Sequence, residues 1–320
     1  MIKDLFSKLL QFILAIFILS FIVFFIARLS PGDPLASYYG EGVDRISTQE
    51  RKIATDKLGL DKPIFTQYIK WVSNASKGEF GISFKYKQDV IEVIKGLYMN
   101  TVVLSGGAYI LTFILALLLG LVCAFNEGKL IDRLICKLGI ITNSVPSFWI
   151  SLILILIFSI NLKLLPTSGA YSIGKENSFI DRVLHLILPM TVIIISHLWY
   201  YAYLVRNKLI EEKKQEYVLL CKAKGLSDKQ IMYKHCLRNI IPSYINLMAV
   251  SVPHIIGGTY IVEKVFSYPG LGTLCFESAK YHDYNMLLVL SLITGALVLF
   301  SSAIAQIISN NIDPRIKHES

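Results

Sequence analysis

Residues 206–242, RNKLIEEKKQEYVLLCKAKGLSDKQIMYKHCLRNIIP, are the most charged block in an otherwise apolar second half of the chain. The block carries nine Lys and Arg residues against four Asp and Glu residues, and long apolar runs lie on both sides of it. Lys and Arg in a connecting loop of this length are retained on the cytoplasmic side of a membrane. The block therefore predicts a membrane protein in which two spans flank a basic cytoplasmic loop.

The basic block also has internal order. Gly225 follows a short run with apolar positions, and glycine is a natural helix stop because it accepts the left-handed conformation. Ser227, followed by Asp228, offers an N-cap for the next helix. We predict a short amphipathic helix, a glycine break, and a second helix that re-enters the membrane near Pro242.

Composition supports an all-α, polytopic membrane protein. Of the 320 residues, 54% are hydrophobic, and the mean hydropathy is +0.55. Several apolar runs exceed the roughly 18 to 20 residues that cross a hydrocarbon core. The net charge of +9 is assigned to basic residues beside anionic lipid and a partner protein, not to nucleic-acid binding. The five cysteines include no C-x-x-C pair, so we expect neither a disulfide framework nor a metal site.

Six spans are predicted from the apolar runs. They cover residues 9–27, 101–125, 138–160, 184–205, 243–262 and 286–308. The Pro31-Gly32-Asp33-Pro34 cluster ends the first span, and Pro146 interrupts the third.

The predicted organisation follows from these spans. Residues 1–29 are a first transmembrane helix, 30–98 an extracytoplasmic segment of short helices, 99–309 a core of five helices with a loop at 206–240, and 310–320 a tail. Both termini are expected in the cytoplasm, and the protein in the plasma membrane of a bacterium. Within the extracytoplasmic segment, Tyr68 and Trp71 are interpreted as interfacial or core aromatics.

A second block with a distinctive pattern follows the fifth span, on the side opposite the basic loop. It has the form E-x-x-F-x-x-P-G-L-G, with members Glu263, Phe266, Pro269, Gly270 and Gly272. Because glycine accepts positive φ, we predict a tight outer turn at Pro-Gly-Leu-Gly.

The two blocks together resemble the permeases of ABC transporters that import dipeptides, oligopeptides and nickel. In the basic loop the resemblance lies in Glu216-Tyr217-Val218, Ala223-Lys224-Gly225-Leu226-Ser227 and Leu237-Arg238-Asn239. Cys221 stands where the peptide branch usually has alanine. The E-x-x-F-x-x-P-G-L-G block after the fifth span also matches, and the resemblance extends from Pro31 to Arg315.

The resemblance implies a type I importer fold and a transport subunit that is not an enzyme and needs no cofactor. It implies a second permease subunit, two separate ATPase subunits and an extracytoplasmic substrate-binding (lipo)protein. The chain has no G-x-x-x-x-G-K-[ST] phosphate loop of its own. The expected ATPase-coupling residues are Glu216, Tyr217, Ala223, Lys224, Gly225, Leu226, Ser227 and Asp228.

The substrate stays open between nickel, or a nickel chelate, and short peptides. His197 and His254 are ionisable residues within spans and are therefore candidates for the pathway. Imidazole binds nickel, but two histidines without a carboxylate or thiolate neighbour are more often residues that form helix–helix hydrogen bonds. The sequence Gly257-Gly258-Thr259, interpreted as a turn, resembles the nickel branch.

Three other classes of membrane protein are alternatives to the permease. A secondary transporter predicts an inverted repeat and charged residues at mid-bilayer, and neither is evident. A membrane enzyme needs a nucleophile–base pair or a set such as His-Glu-x-x-His, which the sequence lacks. A receptor with inert spans does not explain the basic loop.

Overall fold

A computed structural model describes residues 2–29, 35, 46–58 and 60–312. The Pro31–Pro34 cluster and the Asp313-Pro314-Arg315 ending lie outside these residues. Within the described part all regular elements are helices, and β structure is limited to one isolated bridge between Ile82 and Asp89. The predicted all-α membrane fold is confirmed.

The helices are numbered here in chain order. They are α1 (Ile2–Leu29), α2 (Thr48–Leu58), α3 (Ile64–Ala75), α4 (Val90–Phe125), α5 (Leu130–Ser144), α6 (Ser147–Leu154), α7 (Phe179–Lys213), α8 (Glu216–Ala223), α9 (Asp228–Ile231), α10 (Leu237–Val265), α11 (Leu271–Lys280) and α12 (Tyr284–Ile312). Two π-helical segments, Ile155–Asn161 and Met232–Cys236, continue α6 and join α9 to α10.

Among the described residues, five helical stretches are long and apolar enough to cross a membrane. They are Leu10–Leu29, Val90–Phe125, Phe179–Lys213, Asp228–Val265 and Tyr284–Ala305. A sixth candidate is the pair Leu130–Thr142 and Ser147–Asn161, which is bent by 104°. The bend lies at the predicted interruption. Val145 is extended, with φ −94° and ψ 120°, because the ring of Pro146 excludes the residue before it from the helical region.

Several helices extend beyond the predicted spans, and one predicted turn is replaced by helix. The second predicted span begins at Thr101, whereas α4 begins at Val90, where the Asp89 carboxylate accepts a hydrogen bond from the Ile91 N–H at 2.8 Å. The fourth predicted span ends at residue 205, whereas α7 continues to Lys213. The predicted turn at Gly257-Gly258-Thr259 is wrong, because these residues lie inside α10. Apolar runs locate spans, but caps and tertiary contacts decide where a helix ends.

The chain forms two compact units. The first unit joins residues 1–99 with 269–300. One of its cores surrounds Tyr68, whose ring packs on Phe17, Phe21 and Phe24 and whose hydroxyl lies 2.8 Å from Ser20 Oγ. Tyr68 is therefore a core residue, one of the two alternatives predicted for it.

The second unit joins residues 100–268 with 301–320. Its larger core packs α4, α7 and α10 around buried Phe113, Val192, Tyr201 and Ile255. A second core, which includes Val205, Leu209, Ile231 and Cys236, lies beneath α8 and α9. The basic block of residues 206–242, called the basic segment below, therefore rests on its own apolar base.

Candidate functional site

The short helix α8 is seated on the second unit by one of its faces. Val218 and Cys221, three residues apart, are buried against the apolar base of the basic segment. The opposite face carries Leu219 and Leu220, which are 68% and 57% exposed. The exposed residues next to them in the chain include Glu216, Lys222, Ala223, Lys224, Gly225, Ser227 and Asp228. The helix thus presents an apolar patch with a charged rim.

Gly225 ends α8 as predicted. Its φ is +79°, in the left-handed region that glycine adopts without steric cost. The Gly225 N–H donates to the Lys222 carbonyl at 2.9 Å, and the Leu226 N–H donates to the Cys221 carbonyl at 3.2 Å. This pair of bonds is the Schellman motif, which satisfies carbonyls at the end of a helix. Leu226 also packs on the apolar base, so the turn is fixed from both sides.

The next helix begins with the predicted N-cap. Ser227 Oγ accepts a hydrogen bond from the Gln230 N–H at 3.4 Å, and Gln230 Oε1 accepts one from the Ser227 N–H at 3.0 Å. The two bonds form a capping box. Lys222 and Asp228 approach to 3.6 Å across the turn. Residues 219–230, called the tip of the basic segment below, are therefore held by local hydrogen bonds.

Tyr217 braces the base of the basic segment instead of lying on its exposed tip. Its hydroxyl donates to Glu212 Oε2 at 2.6 Å, and the Asn239 side-chain amide donates to the same oxygen at 3.3 Å. Burial, and then the hydrogen bond to Glu212, raise the pKa of Tyr217, so the hydroxyl keeps its proton. One carboxylate therefore joins the end of α7, the start of α8 and the start of α10.

The residues Glu263–Gly272, called the Glu263 block, begin at the other end of α10. Glu263 is fully buried, and Thr101 Oγ1 donates to its carboxylate at 2.6 Å. Phe266 is also buried, and its carbonyl accepts from the Gly169 N–H at 2.9 Å. These contacts tie the end of α10 to α4 and to the segment before α7.

The predicted positive-φ turn at the glycines of the Glu263 block is wrong. The left-handed residue is Ser267, with φ +46°. Gly270 is extended, with φ −137°, and Gly272 lies within α11. Pro269 and Gly270 instead precede the helix, and the Gly270 carbonyl accepts from the Leu274 N–H at 3.0 Å. Gly270 and Gly272 are both buried.

The two histidines differ in their surroundings. His197 is partly buried, its Nδ1 lies 2.8 Å from the Ile193 carbonyl one turn earlier, and its ring stacks on Tyr201. A Cβ on Gly258 would lie 3.1 Å from the His197 ring, so the missing side chain of this glycine gives the ring its place. His254 is exposed on α10. Among the described residues no group of three or more His, Cys, Asp or Glu is placed to hold a metal ion.

Comparison with known sequences agrees with this architecture. Residues 116–318 match the family described as "Binding-protein-dependent transport system inner membrane component", and residues 1–105 match the N-terminal component of the same system. The chain belongs to this permease family.

Relatives of the permease extend over almost its whole length. The oligopeptide transport system permease protein AppB of Bacillus subtilis is 33% identical over 96% of this chain and 95% of its own. The di/tripeptide transport system permease protein DppB of Pseudomonas aeruginosa is 30% identical over 93% and 94%. The metal-staphylopine import system permease protein CntB of Staphylococcus aureus is 30% identical over 94% and 94%.

The permease also shares its fold with a solved transporter. A chain from the inward-facing structures of the MetNI methionine ABC transporter superposes with a TM-score of 0.53. The superposition covers 68% of the permease and 97% of that chain, at 14% sequence identity. The similarity confirms the importer fold that the sequence predicts.

An ion pair at the base of the basic segment was missed at the sequence level. Arg206 donates to both carboxylate oxygens of Asp132, each at 2.7 Å, and the Gly128 N–H donates to Asp132 Oδ2 at 2.9 Å. The side chains of Asp132 and Arg206 are 3% and 20% exposed. The available signal was a lone acidic residue in the first turn of α5, a helix with a strong apolar face.

A second missed residue is Asp283, in the first unit of the permease. It is buried and accepts from Ser83 Oγ at 2.5 Å, from the Lys85 N–H at 3.2 Å and from the Met286 N–H at 3.3 Å. Asp283 therefore caps α12 and holds the loop that follows Gly81. An aspartate directly before an apolar helix is an N-cap signal that the sequence contains.

The loop that Asp283 holds has one further anchor, Glu277 of α11. Lys85 and Glu277 form an ion pair, and the Tyr86 hydroxyl donates to Glu277 Oε2 at 2.9 Å. Burial, followed by this carboxylate, raises the pKa of Tyr86 to about 12. The loop after Gly81 is thus fixed by two buried or partly buried carboxylates.

Proposed function

We propose that this chain is one of two permease subunits of an ATP-driven importer and that it carries short peptides. The observation that carries the coupling role is the apolar patch of Leu219 and Leu220, held on a small rigid element between two spanning helices. Because the sequence lacks a Walker-type phosphate loop, the energy comes from two separate ATPase subunits.

The proposed orientation places the basic segment in the cytoplasm. Lys and Arg concentrate in residues 206–242, and such loops are retained on that side. Both termini then lie in the cytoplasm. Residues 30–98 and the Glu263 block lie on the extracytoplasmic side, where a substrate-binding protein delivers the cargo.

The proposed coupling contact is a knob-in-groove interface. Leu219 and Leu220 enter a groove on an ATPase subunit, while the surrounding charged residues, including Lys222 and Lys224, contact its rim. Interfaces of this kind place their apolar residues at the centre and their charges at the edge.

The knob can transmit force because its inner side is fixed. Val218 and Cys221 pack on α7 and on the π-helical segment, and Glu212 joins α7, Tyr217 and Asn239. A displacement of α8 therefore moves both neighbouring spans, and not only a loose loop.

Short peptides are the proposed cargo because two of the three relatives above are named for oligopeptide and di/tripeptide transport. A metal chelate is the second candidate. It is favoured by the name of the staphylococcal relative and by the exposed position of His254. Uptake of a labelled tetrapeptide against labelled nickel chelate, in a strain lacking this permease and complemented with it, decides between the two.

The coupling contact is tested with the double variant Leu219→Ser, Leu220→Ser in the assembled transporter. Substrate-stimulated ATP hydrolysis should fall about tenfold or more, because truncating the anchor of an interface removes most of its binding energy. The control is Leu164→Ser, a leucine with a similar exposure of 66% that lies outside the basic segment. Full stimulation in the double variant would contradict the proposal.

A further inference from the structure

The exposed face of α10 carries polar side chains at three of its six positions. It consists of Ser243, Asn246, Val250, His254, Gly257 and Ile261. Their spacing of three or four residues places all six on one side of a helix. From Ser243 to Ile261 the helix rises about 27 Å, close to the thickness of the hydrocarbon core. A hydroxyl, an amide and an imidazole thus lie along a surface that runs through the bilayer.

A second polar stripe lies beside it on α7. Tyr200 and Tyr203 are exposed, and Asn207 and Glu211 continue the same face at helical spacing. A groove of about 440 Å³ joins the Asn207–Glu211 end of the α7 stripe to the Ser243–Val250 end of the α10 stripe. Its lining includes Asn207, Lys208, Glu211, Ser243, Asn246 and Val250.

The opposite case occurs on α4 of the same unit. Its exposed side chains between residues 110 and 122 are Ile110, Leu111, Ile114, Leu115, Leu118 and Val122. This face suits hydrocarbon and carries no polar group. An asparagine amide or an imidazole on such a face is strongly unfavourable, because lipid offers no hydrogen-bond partner. The faces of α7 and α10 therefore point to water or to protein, and the face of α4 points to lipid.

The α10 stripe also has unsatisfied hydrogen-bonding capacity. Within the described part of the chain, neither Ser243 nor Asn246 makes a side-chain hydrogen bond. The charge along the groove is nearly balanced, since Lys208 lies 3.2 Å from Glu211. A neutral wall with free amide donors and acceptors matches the peptide group, which presents one N–H and one carbonyl per residue.

We propose that the α7–α10 face is this subunit's wall of the transport pathway, and that Asn246 hydrogen-bonds the backbone of the passing peptide. The inference rests on the proposed function and adds its contact residues. A hydrogen bond to the backbone of the peptide does not depend on the peptide's side chains, so the wall accepts peptides of different sequence. An isolated hydrogen bond of this kind is weak, so the wall also releases them.

The first test measures access of water to single cysteines. Asn246→Cys and His254→Cys, with Ile114→Cys and Leu118→Cys as controls on α4, are placed in a background with Cys136→Ser and Cys275→Ser. These two native cysteines are partly exposed, and the other three are buried. The assembled transporter in vesicles is treated with a sulfonated methanethiosulfonate reagent, and the modified fraction is followed by mass.

Water along the α7–α10 face predicts that positions 246 and 254 react at least about tenfold faster than positions 114 and 118, since thiolate forms in water and not in lipid. Tetra-alanine should slow the reaction at position 246. Equally slow reaction at all four positions overturns the inference.

The second test measures transport directly. Asn246→Leu should lower uptake of labelled tetra-alanine about tenfold through the loss of one hydrogen bond to the peptide backbone, while Leu118→Ala retains uptake. Undiminished uptake by Asn246→Leu overturns the backbone contact. If the unaltered transporter takes up no peptide and positions 246 and 254 still react fast, the proposed substrate fails and the water-lined wall stands.

Discussion

The basic segment and the Glu263 block lie at opposite ends of α10 and are fixed in different ways. At the tip of the basic segment, every hydrogen bond that shapes the turn joins residues at most five apart, as in Leu226 to Cys221. In the Glu263 block the decisive bonds cross long distances, from Thr101 to Glu263 and from Gly169 to Phe266. The comparison shows that a turn made of its own caps can be predicted from the sequence, whereas a turn made by its neighbours cannot.

The largest expected effect is at the buried ion pair that joins Arg206, at the start of the basic segment, to Asp132. Asp132→Asn leaves the guanidinium of Arg206 with a neutral partner in a mostly buried site. We expect a loss of about 3–5 kcal/mol in stability, typical of a broken buried ion pair. The measurement is the unfolding midpoint of the permease in detergent, followed by size-exclusion fluorescence.

The control for Asp132→Asn is Glu211→Gln. Glu211 also pairs with a basic residue, Lys208, at 3.2 Å, but the two side chains are 63% and 57% exposed. Such a pair contributes about 0–1 kcal/mol. Equal losses in the two variants would show that the base of the basic segment does not depend on Asp132.

An intermediate effect is expected in the Glu263 block. Thr101→Val removes one hydrogen-bond donor from the buried Glu263 carboxylate and keeps the shape of the side chain. We expect a loss of about 1–3 kcal/mol, the cost of a buried acceptor that loses a partner. Ser105→Ala is the matched control, since the Ser105 hydroxyl donates only to its own helix, at the Thr101 carbonyl. A similar midpoint for both variants would remove the distinction drawn between the two regions.

The smallest effect is expected at the tip of the basic segment. Gly225→Ala places a Cβ in the left-handed region at φ +79°, and no heavy atom lies within 4 Å of that Cβ. The cost is therefore conformational, about 1–2 kcal/mol, and not a clash. Gly96→Ala is the control, because that helical glycine also has open space and alanine is favoured there. A loss at Gly225 no larger than at Gly96 would argue against the Schellman turn. Gly225→Ala should also lower substrate-stimulated ATP hydrolysis. Because the tip is small, we expect the fractional loss of this activity to exceed the fractional loss in the free energy of unfolding.

The prediction of the fold depended on which signal each element carried. The apolar runs predicted the spans, and the cap residues Gly225 and Ser227 predicted the turn between α8 and α9. The start of α4 was misplaced because residues 90–100 are not continuously apolar, and their helix is stabilised by Val90, Val93 and Ile94 packing in the first unit. The turn at Pro269-Gly270 was misjudged because the residue with positive φ is Ser267, whereas Gly270 is extended.

The candidate site also has features that the sequence predicted and features that it did not. The sequence indicated the residues of the exposed tip, but not that Tyr217 turns inward to Glu212 or that Leu219 and Leu220 form the exposed patch. It named His197 and His254 together, whereas His197 packs on Gly258 and His254 is exposed. The domain boundaries and the roles of individual coupling residues stay predictions.

The amino-acid sequence by itself determined that this chain crosses a membrane several times and carries a basic, glycine-broken segment between two spans. Apolar run length and local caps act within a few residues, so they can be recognised without coordinates. Only the tertiary structure decided which faces of the helices are polar and exposed, and which carboxylates are buried with partners. Those properties depend on residues far apart in the chain, such as Asp132 and Arg206, and no local pattern records such pairings.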